Sequence, residues 1–182
     1  FVDRYNADLA NDFGNLASRA LKMLAQYTSG AVPPPGEDLV GEELAAIARE
    51  LPGRLEARMD GLDFSGALQD TWRLVDRANK YVEESKPWEL RKAADGEARL
   101  NAVLYNLAES LRVLTYAVFP FIPSAAAELA RQLDVTAPAD VAPGGPALAE
   151  VLAWGGLKAG HQTTVGPVLF PRLDRATVLA AE

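Results

Sequence analysis

Apolar residues recur at helical spacing along most of this chain. Within residues 1–27 they stand at Tyr5, Leu9, Phe13, Leu16, Ala20, Leu24 and Tyr27, which draws one stripe along a helix and predicts its burial. Thr28-Ser29-Gly30 stops that helix near Tyr27, and Pro33-Pro34-Pro35-Gly36 predicts a loop across one end of a bundle. Leu44, Ile47, Leu51, Leu55 and Met59 predict a second helix over residues 42–59, kinked or broken at Pro52. Asp63 is the expected N-cap of a third, with Phe64, Leu68, Trp72, Val75, Asn79 and Val82 as its stripe. Trp72 there reads as a core residue, and Asn79 as a buried amide bonded to a neighbouring helix's backbone. The third helix must stop before Pro87, and Pro87-Trp88-Glu89-Leu90 opens a short turn with proline in first place. Leu100, Val103, Leu104, Leu107, Leu111, Leu114 and Val118 predict a central fourth helix over residues 99–119, ended by Pro120 and Pro123. Ser124 is the expected cap of a fifth, through Leu133. Residues 137–146 read as a surface loop and residues 147–152 as a helical turn. From Trp154 the pattern changes. Trp154-Gly155-Gly156-Leu157 reads as a turn and residues 163–173 as extended, with Pro167 and Pro171 keeping them off a central strand. The predicted fold is all-α: a bundle of about five main helices in residues 1–153, then a partly extended tail over 154–182.

The polar face of the first helix changes this picture. It carries Asn6, Asn11 and Asn15, although asparagine is a poor helix former because its amide competes for backbone groups. At about 100° per residue Asn15 lies roughly 140° from the centre of the apolar stripe and Arg19 about 100° from it, so both face outward or flank that stripe. An amide offers donors and acceptors and a guanidinium a fork of donors, which suits the edge of a nucleobase. Spacing alone is equally satisfied by a solvated face. Trp88 also has two readings from its position. It is either a cap on the bundle end or an indole held at a proline corner, where it would stack on an unpaired base for roughly 1–3 kcal/mol.

Charge and composition narrow the classes. With 182 residues and 49% apolar content the chain is long enough for one cored domain, and no run approaches a membrane span. It opens on Phe1 without a basic-then-apolar signal segment, and an excised domain is expected. Cysteine is absent, which removes disulfides and thiolate zinc sites and agrees with a reducing cytoplasm. A net charge of −7 argues against a generic nucleic-acid binder. Between residues 72 and 92, however, six basic residues (Arg73, Arg77, Lys80, Lys86, Arg91, Lys92) stand against four acidic ones (Asp76, Glu83, Glu84, Glu89). That local excess fits reading by stacking and base edges better than bulk phosphate attraction. The one histidine, His161, reads as an exposed loop residue, and no nucleophile, metal or phosphate-cradle arrangement is evident.

The wording of two stretches is more specific. Residues 4–19, Arg4-Tyr5-Asn6-Ala7-Asp8-Leu9-Ala10-Asn11-Asp12-Phe13-Gly14-Asn15-Leu16-Ala17-Ser18-Arg19, resemble the start of the anticodon-binding helical domain of bacterial-type methionyl-tRNA synthetases. Asn79-Lys80-Tyr81 with Pro87-Trp88 resembles that family's second hallmark, and the Trp-Gly…Pro-x-Leu-Phe-Pro-Arg segment comes after it in the same order. The resemblance implies that Asn15 and Arg19 contact anticodon bases and that the first of those bases packs on Trp88; Pro87, directly before it, is expected to fix the ring's direction. Lys80, Lys86, Arg91 and Lys92 become candidates for contacts to the RNA backbone. The implied partners are methionine tRNA and the catalytic domain of the same enzyme, in the cytoplasm and away from membranes. Neither His-x-Gly-His nor Lys-Met-Ser-Lys-Ser is present, so this chain is expected to be inactive alone. No cofactor is expected in it; ATP and Mg belong to the parent ligase. The tail is expected to return toward the catalytic body, with its docking surface missing here. Two alternatives stand beside this reading: an isoleucyl, leucyl, valyl or cysteinyl synthetase domain, and a helical protein-interaction module without RNA binding.

Overall fold

A computed structural model describes residues 1–140 and 147–174. The first helix, α1, is one rod in three segments: α-helical Val2–Arg4, π-helical Tyr5–Phe13 and α-helical Gly14–Thr28. Its widened segment is marked by the Gly14 N–H, which donates five residues back to the Leu9 carbonyl. Phe13, Leu16, Ala20 and Leu24 of the predicted stripe are buried, while Tyr5, Leu9 and Tyr27 lie at its margin. The rod ends where Ser29 turns left-handed (φ 54°) and the Gly30 N–H closes on the Leu24 carbonyl.

Helix α2 spans Leu39–Asp60, three residues earlier than expected, because Asp38 caps it by accepting from the Gly41 N–H at 3.2 Å. It runs through Pro52 without the predicted break. Pro52 is buried between Leu51 and Leu55, so packing offsets the lost backbone hydrogen bond, a cost of about 3 kcal/mol in an exposed helix.

Helix α3 spans Phe64–Ser85, and Asp63 caps it as predicted. Val75 and Val82 of the expected stripe are fully buried, and the buried face extends beyond that stripe. Ala67, Leu74, Ala78 and Tyr81 are fully buried, Leu68 and Trp72 lie at the rim, and Phe64 is half exposed. Trp72 packs edge-on against Phe13, so it borders the core and does not fill it. A short helix, α4 (Pro87–Leu90), comes after the corner at Lys86. Helix α5 (Glu97–Val118) is the centre of the bundle and is buried on nearly every side, with α2, α3 and α6 against it. Helix α6 (Pro123–Leu133) begins with proline in its first turn and no side-chain cap, so Ser124 lies inside the helix and does not start it. A short 3₁₀ turn, Pro138–Asp140, opens the proline-rich loop. The rest of that loop, residues 141–146, and the tail beyond 174 lie outside the described residues. Helix α7 (Leu148–Val151) is the expected helical turn.

Tail residues 155–173 are anchored on the helices of this chain, through contacts that the sequence expectation did not include. A buried carboxylate starts the seat. Glu109, on α5, accepts from the N–H groups of Gly155, Gly156 and Leu157 at 2.8–3.0 Å. It also pairs with the Nε and Nη2 of Arg112, whose Nη1 donates to the Val151 carbonyl and whose Nη2 also donates to the Ala153 carbonyl. Further on, the chain bridges Ala31 through Gln162 in an isolated antiparallel pair, and Thr163 bonds Gly30. His161 is not a free loop residue: its Nε2 sits 2.7 Å from the Leu133 carbonyl at the end of α6. Gln132 donates to the Pro167 carbonyl, and Phe170 is buried against Tyr5 and Phe13. No strand is formed among the described residues.

Candidate nucleic-acid interface

The site begins with the three asparagines of α1, which turn out to have different work. Asn6 is a clamp. Its amide donates to the Leu173 carbonyl and accepts from the Leu173 N–H, both at 2.9 Å, and so holds the end of the tail. Asn11 and Asn15 instead line an open groove with Ala10, Gly14 and Ser18 on one wall. Tail residues Pro167, Val168, Phe170, Pro171 and Arg172 form the other wall, and the groove holds about 760 Å³. That is within the size range of small-ligand clefts. Sequence reasoning missed this second wall. The signal was Gly14, a glycine in mid-helix: a Cβ there would stand 3.2 Å from the Phe170 ring.

Asn15 is exposed, and Arg19 stands one helical turn further on. The Arg19 guanidinium is held from two sides. Its Nη1 lies 2.7 Å from a Glu83 carboxylate oxygen, and its Cζ lies 6.0 Å from the centroid of the Trp88 ring. The latter is at the outer limit of a cation–π contact. Arg19 thereby joins helix α1 to the corner after α3.

That corner is built from a backbone reversal. Lys86 adopts a left-handed conformation (φ 44°, ψ 61°), uncommon for a residue with a Cβ. Pro87 then starts α4 and is buried, and Trp88 is left half-buried. The structure thus brings Arg19 beside Trp88, with Asn15 one helical turn from Arg19. Lys86 lies at the same corner, with its Nζ 3.5 Å from Glu89. Lys80 is on α3 and 3.5 Å from Glu84. Arg91 and Lys92 are exposed just after α4 and form no ion pair among the described residues.

Next to this face lies a carboxylate of unusual acidity. Asp12 of α1 accepts from the Asn79 amide at 2.5 Å. Asn79 reaches the Asp12 carbonyl only at 3.5 Å, so the side chain, and not the backbone as expected, is its main partner. Burial pushes the Asp12 carboxyl up to about 6 from an ordinary 3.8, and Asp76 adds to the rise. The Asn79 amide and the Trp72 indole N–H oppose it, the indole from an approach short of full hydrogen-bond geometry. Neither this carboxylate nor any other group at the site is arranged as a nucleophile with a base. The arrangement offers donors, a flat aromatic face and a two-walled groove, which is equipment for binding.

Comparison with known proteins agrees with this geometry. A family model described as the anticodon binding domain of methionyl tRNA ligase matches residues 32–179. A methionine–tRNA ligase of Caldanaerobacter subterraneus is 41% identical over 99% of this chain and 27% of its own length. One from Deinococcus radiodurans is 39% identical over 94% of the chain and 24% of its own length. The chain therefore spans about a quarter of the curated relatives it matches. Among solved structures, free methionyl-tRNA synthetase of Mycobacterium tuberculosis superposes with a TM-score of 0.83 at 33% identity, covering 95% of this chain and 34% of that one. The same enzyme bound to methionyl-adenylate gives 0.80 at 32% identity, covering 93% and 33%.

Proposed function

This chain belongs to the family of anticodon-binding domains of methionyl-tRNA ligases, and from that premise we propose that its α1–Trp88 face reads unpaired anticodon bases of methionine tRNA. Trp88 stacks on one base, and Pro87 sets the ring's direction. Asn15 and Arg19 hydrogen-bond the edges of bases that unstacking exposes. Glu83 engages only the Nη1 of Arg19, and the guanidinium fork has further N–H donors to offer. The observation that carries the reading is the packing of Arg19 beside the Trp88 ring, one turn from an exposed Asn15.

Stacking and edge contacts suit an acidic protein, because they do not depend on a strongly basic surface. Lys80, Lys86, Arg91 and Lys92 contribute steering along the RNA backbone. The activation of methionine with ATP and Mg, and its attachment to tRNA, belong to the remaining three quarters of a parent ligase, the proposed intramolecular partner of residues 154–182.

Titration of the chain with an anticodon stem-loop of methionine tRNA tests this. Trp88→Ala and Arg19→Ala each weaken binding by about 1–3 kcal/mol, five- to 150-fold. Affinity indifferent to both substitutions refutes the reading.

A further inference from the structure

The Lys86 corner is the point on which the Trp88 ring depends, and a buried polar network lies directly behind it. Tyr81 is fully buried on α3, seven residues before Trp88. Its hydroxyl donates to Asp38 Oδ2 at 2.5 Å and accepts from the Asn106 amide at 3.0 Å. Asp38 is the cap of α2, and Arg99 stands 3.6 Å from its other oxygen. Asn106 comes from the central helix α5. One hydroxyl thus ties together the start of α2, the end of α3 and the middle of α5.

The fold gives this network space at the expense of other packing. Gly41 has no room for a side chain, since a Cβ there would lie 2.2 Å from the Asn106 amide nitrogen. Ser85, one turn after Tyr81 and the last residue of α3, is buried with its hydroxyl turned to the same phenol but outside regular hydrogen-bond geometry. Phenylalanine at 81 would fill the same volume without polar atoms to satisfy. Buried, satisfied polar networks define one arrangement more than they add stability. Here the arrangement they define is the rotation and end point of the last two turns of α3. Lys86 N–H still bonds back to Val82, and Lys86 then turns left-handed. A rotation of the last turn of α3 therefore swings Pro87 and Trp88, the residues directly after that corner.

We propose that Tyr81, with Asp38 and Asn106, is a positioning residue for the Trp88 ring: the hydroxyl network holds the α3 terminus in the one orientation that presents the indole beside Arg19. The functional half of this inference rests on the base-stacking reading above; the structural half does not.

Two measurements on the 182-residue chain separate the halves. The chain is labelled with 5-fluorotryptophan, and the Trp88 resonance is assigned by Trp88→Phe. In Tyr81→Phe, without RNA, the Trp88 resonance shifts or broadens while that of Trp154 stays in place. The second measurement is a double-mutant cycle for stem-loop affinity. Tyr81→Phe weakens binding about five- to tenfold when Trp88 is present, a part of the stacking contribution, and has no effect in the Trp88→Ala background. Asp38→Asn, which keeps the shape of the cap, gives the same pattern to a smaller degree and serves if Tyr81→Phe fails to fold. An unmoved Trp88 resonance overturns the proposal. So does a loss of affinity that is equal with and without Trp88. A resonance that moves, together with an affinity indifferent to Trp88→Ala, supports positioning and refutes stacking instead.

Discussion

Replacing Glu109 by glutamine removes one charge from the centre of the bundle and should release the tail. The carboxylate is fully buried and accepts five hydrogen bonds from three backbone N–H groups and the Arg112 Nε and Nη2, counting the shared Nε once. Glutamine keeps the volume but turns one acceptor oxygen into an NH₂, which must then face donors. Removing one partner of a buried ion pair costs about 3–5 kcal/mol, because the other charge stays buried. Hydrogen bonds to a charged group contribute about 1.5–3 kcal/mol each, so the backbone contacts alone are consistent with a loss of that size. The Arg112 carbonyl contacts to Val151 and Ala153 compensate only in part. The expected destabilisation is therefore about 3–5 kcal/mol. Urea denaturation measures it, and amide hydrogen exchange at Gly155, Gly156 and Leu157 locates it. Replacing both Glu109 and Arg112 by leucine, often harmless for a simple buried pair, should not restore stability here, since it leaves those amides and carbonyls without partners. A cost below about 1 kcal/mol with the three amides still protected would refute the assignment of Glu109 as the anchor of the tail.

Three other residues give outcomes that can be measured. Asp12 holds its proton more tightly folded (about 6) than unfolded (3.8), so the folded state binds more protons between those values and stability falls as pH rises through them. Asp12→Asn should therefore leave stability at pH 3.5 nearly unchanged and raise it at pH 8 by about 1–2 kcal/mol, the full shift of about 3 being reduced by partial solvent exposure; thermal melts across that range check it. Phe170→Ala empties the pocket beside Phe13 and Gly14 and should cost about 3 kcal/mol, seen as faster exchange of the Leu173 amide that Asn6 holds. Pro52→Ala restores an N–H in the middle of α2 but loses buried ring carbons, and should change the denaturation midpoint by no more than about 1 kcal/mol in stability.

Much of the bundle can be read from periodicity because its helices bury stripes of ordinary width. Expectation fails where a local rule meets a tertiary contact. Pro52 should break a solvated helix, yet it lies in one packed on both neighbouring turns. Ser124 has the chemistry of a cap, but Pro123 already supplies the start. Periodicity finds Val75 and Val82 in the core of α3 but sets Trp72 there too, whereas Trp72 stays at the rim and Ala78 and Tyr81 complete the core. Glu109 and Arg112, three residues apart inside the most apolar helix of the chain, are given no role by its periodicity. Their partners lie about forty residues on, in and just before the Trp-Gly-Gly turn, and no local pattern encodes such a meeting. The same holds for the groove: the outward placing of Asn15 is legible from helix phase, and the tail wall is not, because Phe170 reaches Phe13 and Gly14 only after the chain has folded.

The central claim is that Asn15, Arg19 and Trp88 distinguish bases. The direct measurement is the affinity of the unmutated chain and of Asn15→Ala for two stem-loops, one bearing the methionine anticodon and one with a single anticodon base changed. The account predicts tighter binding of the methionine stem-loop by at least about tenfold, 1.4 kcal/mol, with Asn15→Ala shrinking the gap more than it weakens binding of the altered loop. Equal affinity of the unmutated chain for both loops would contradict it.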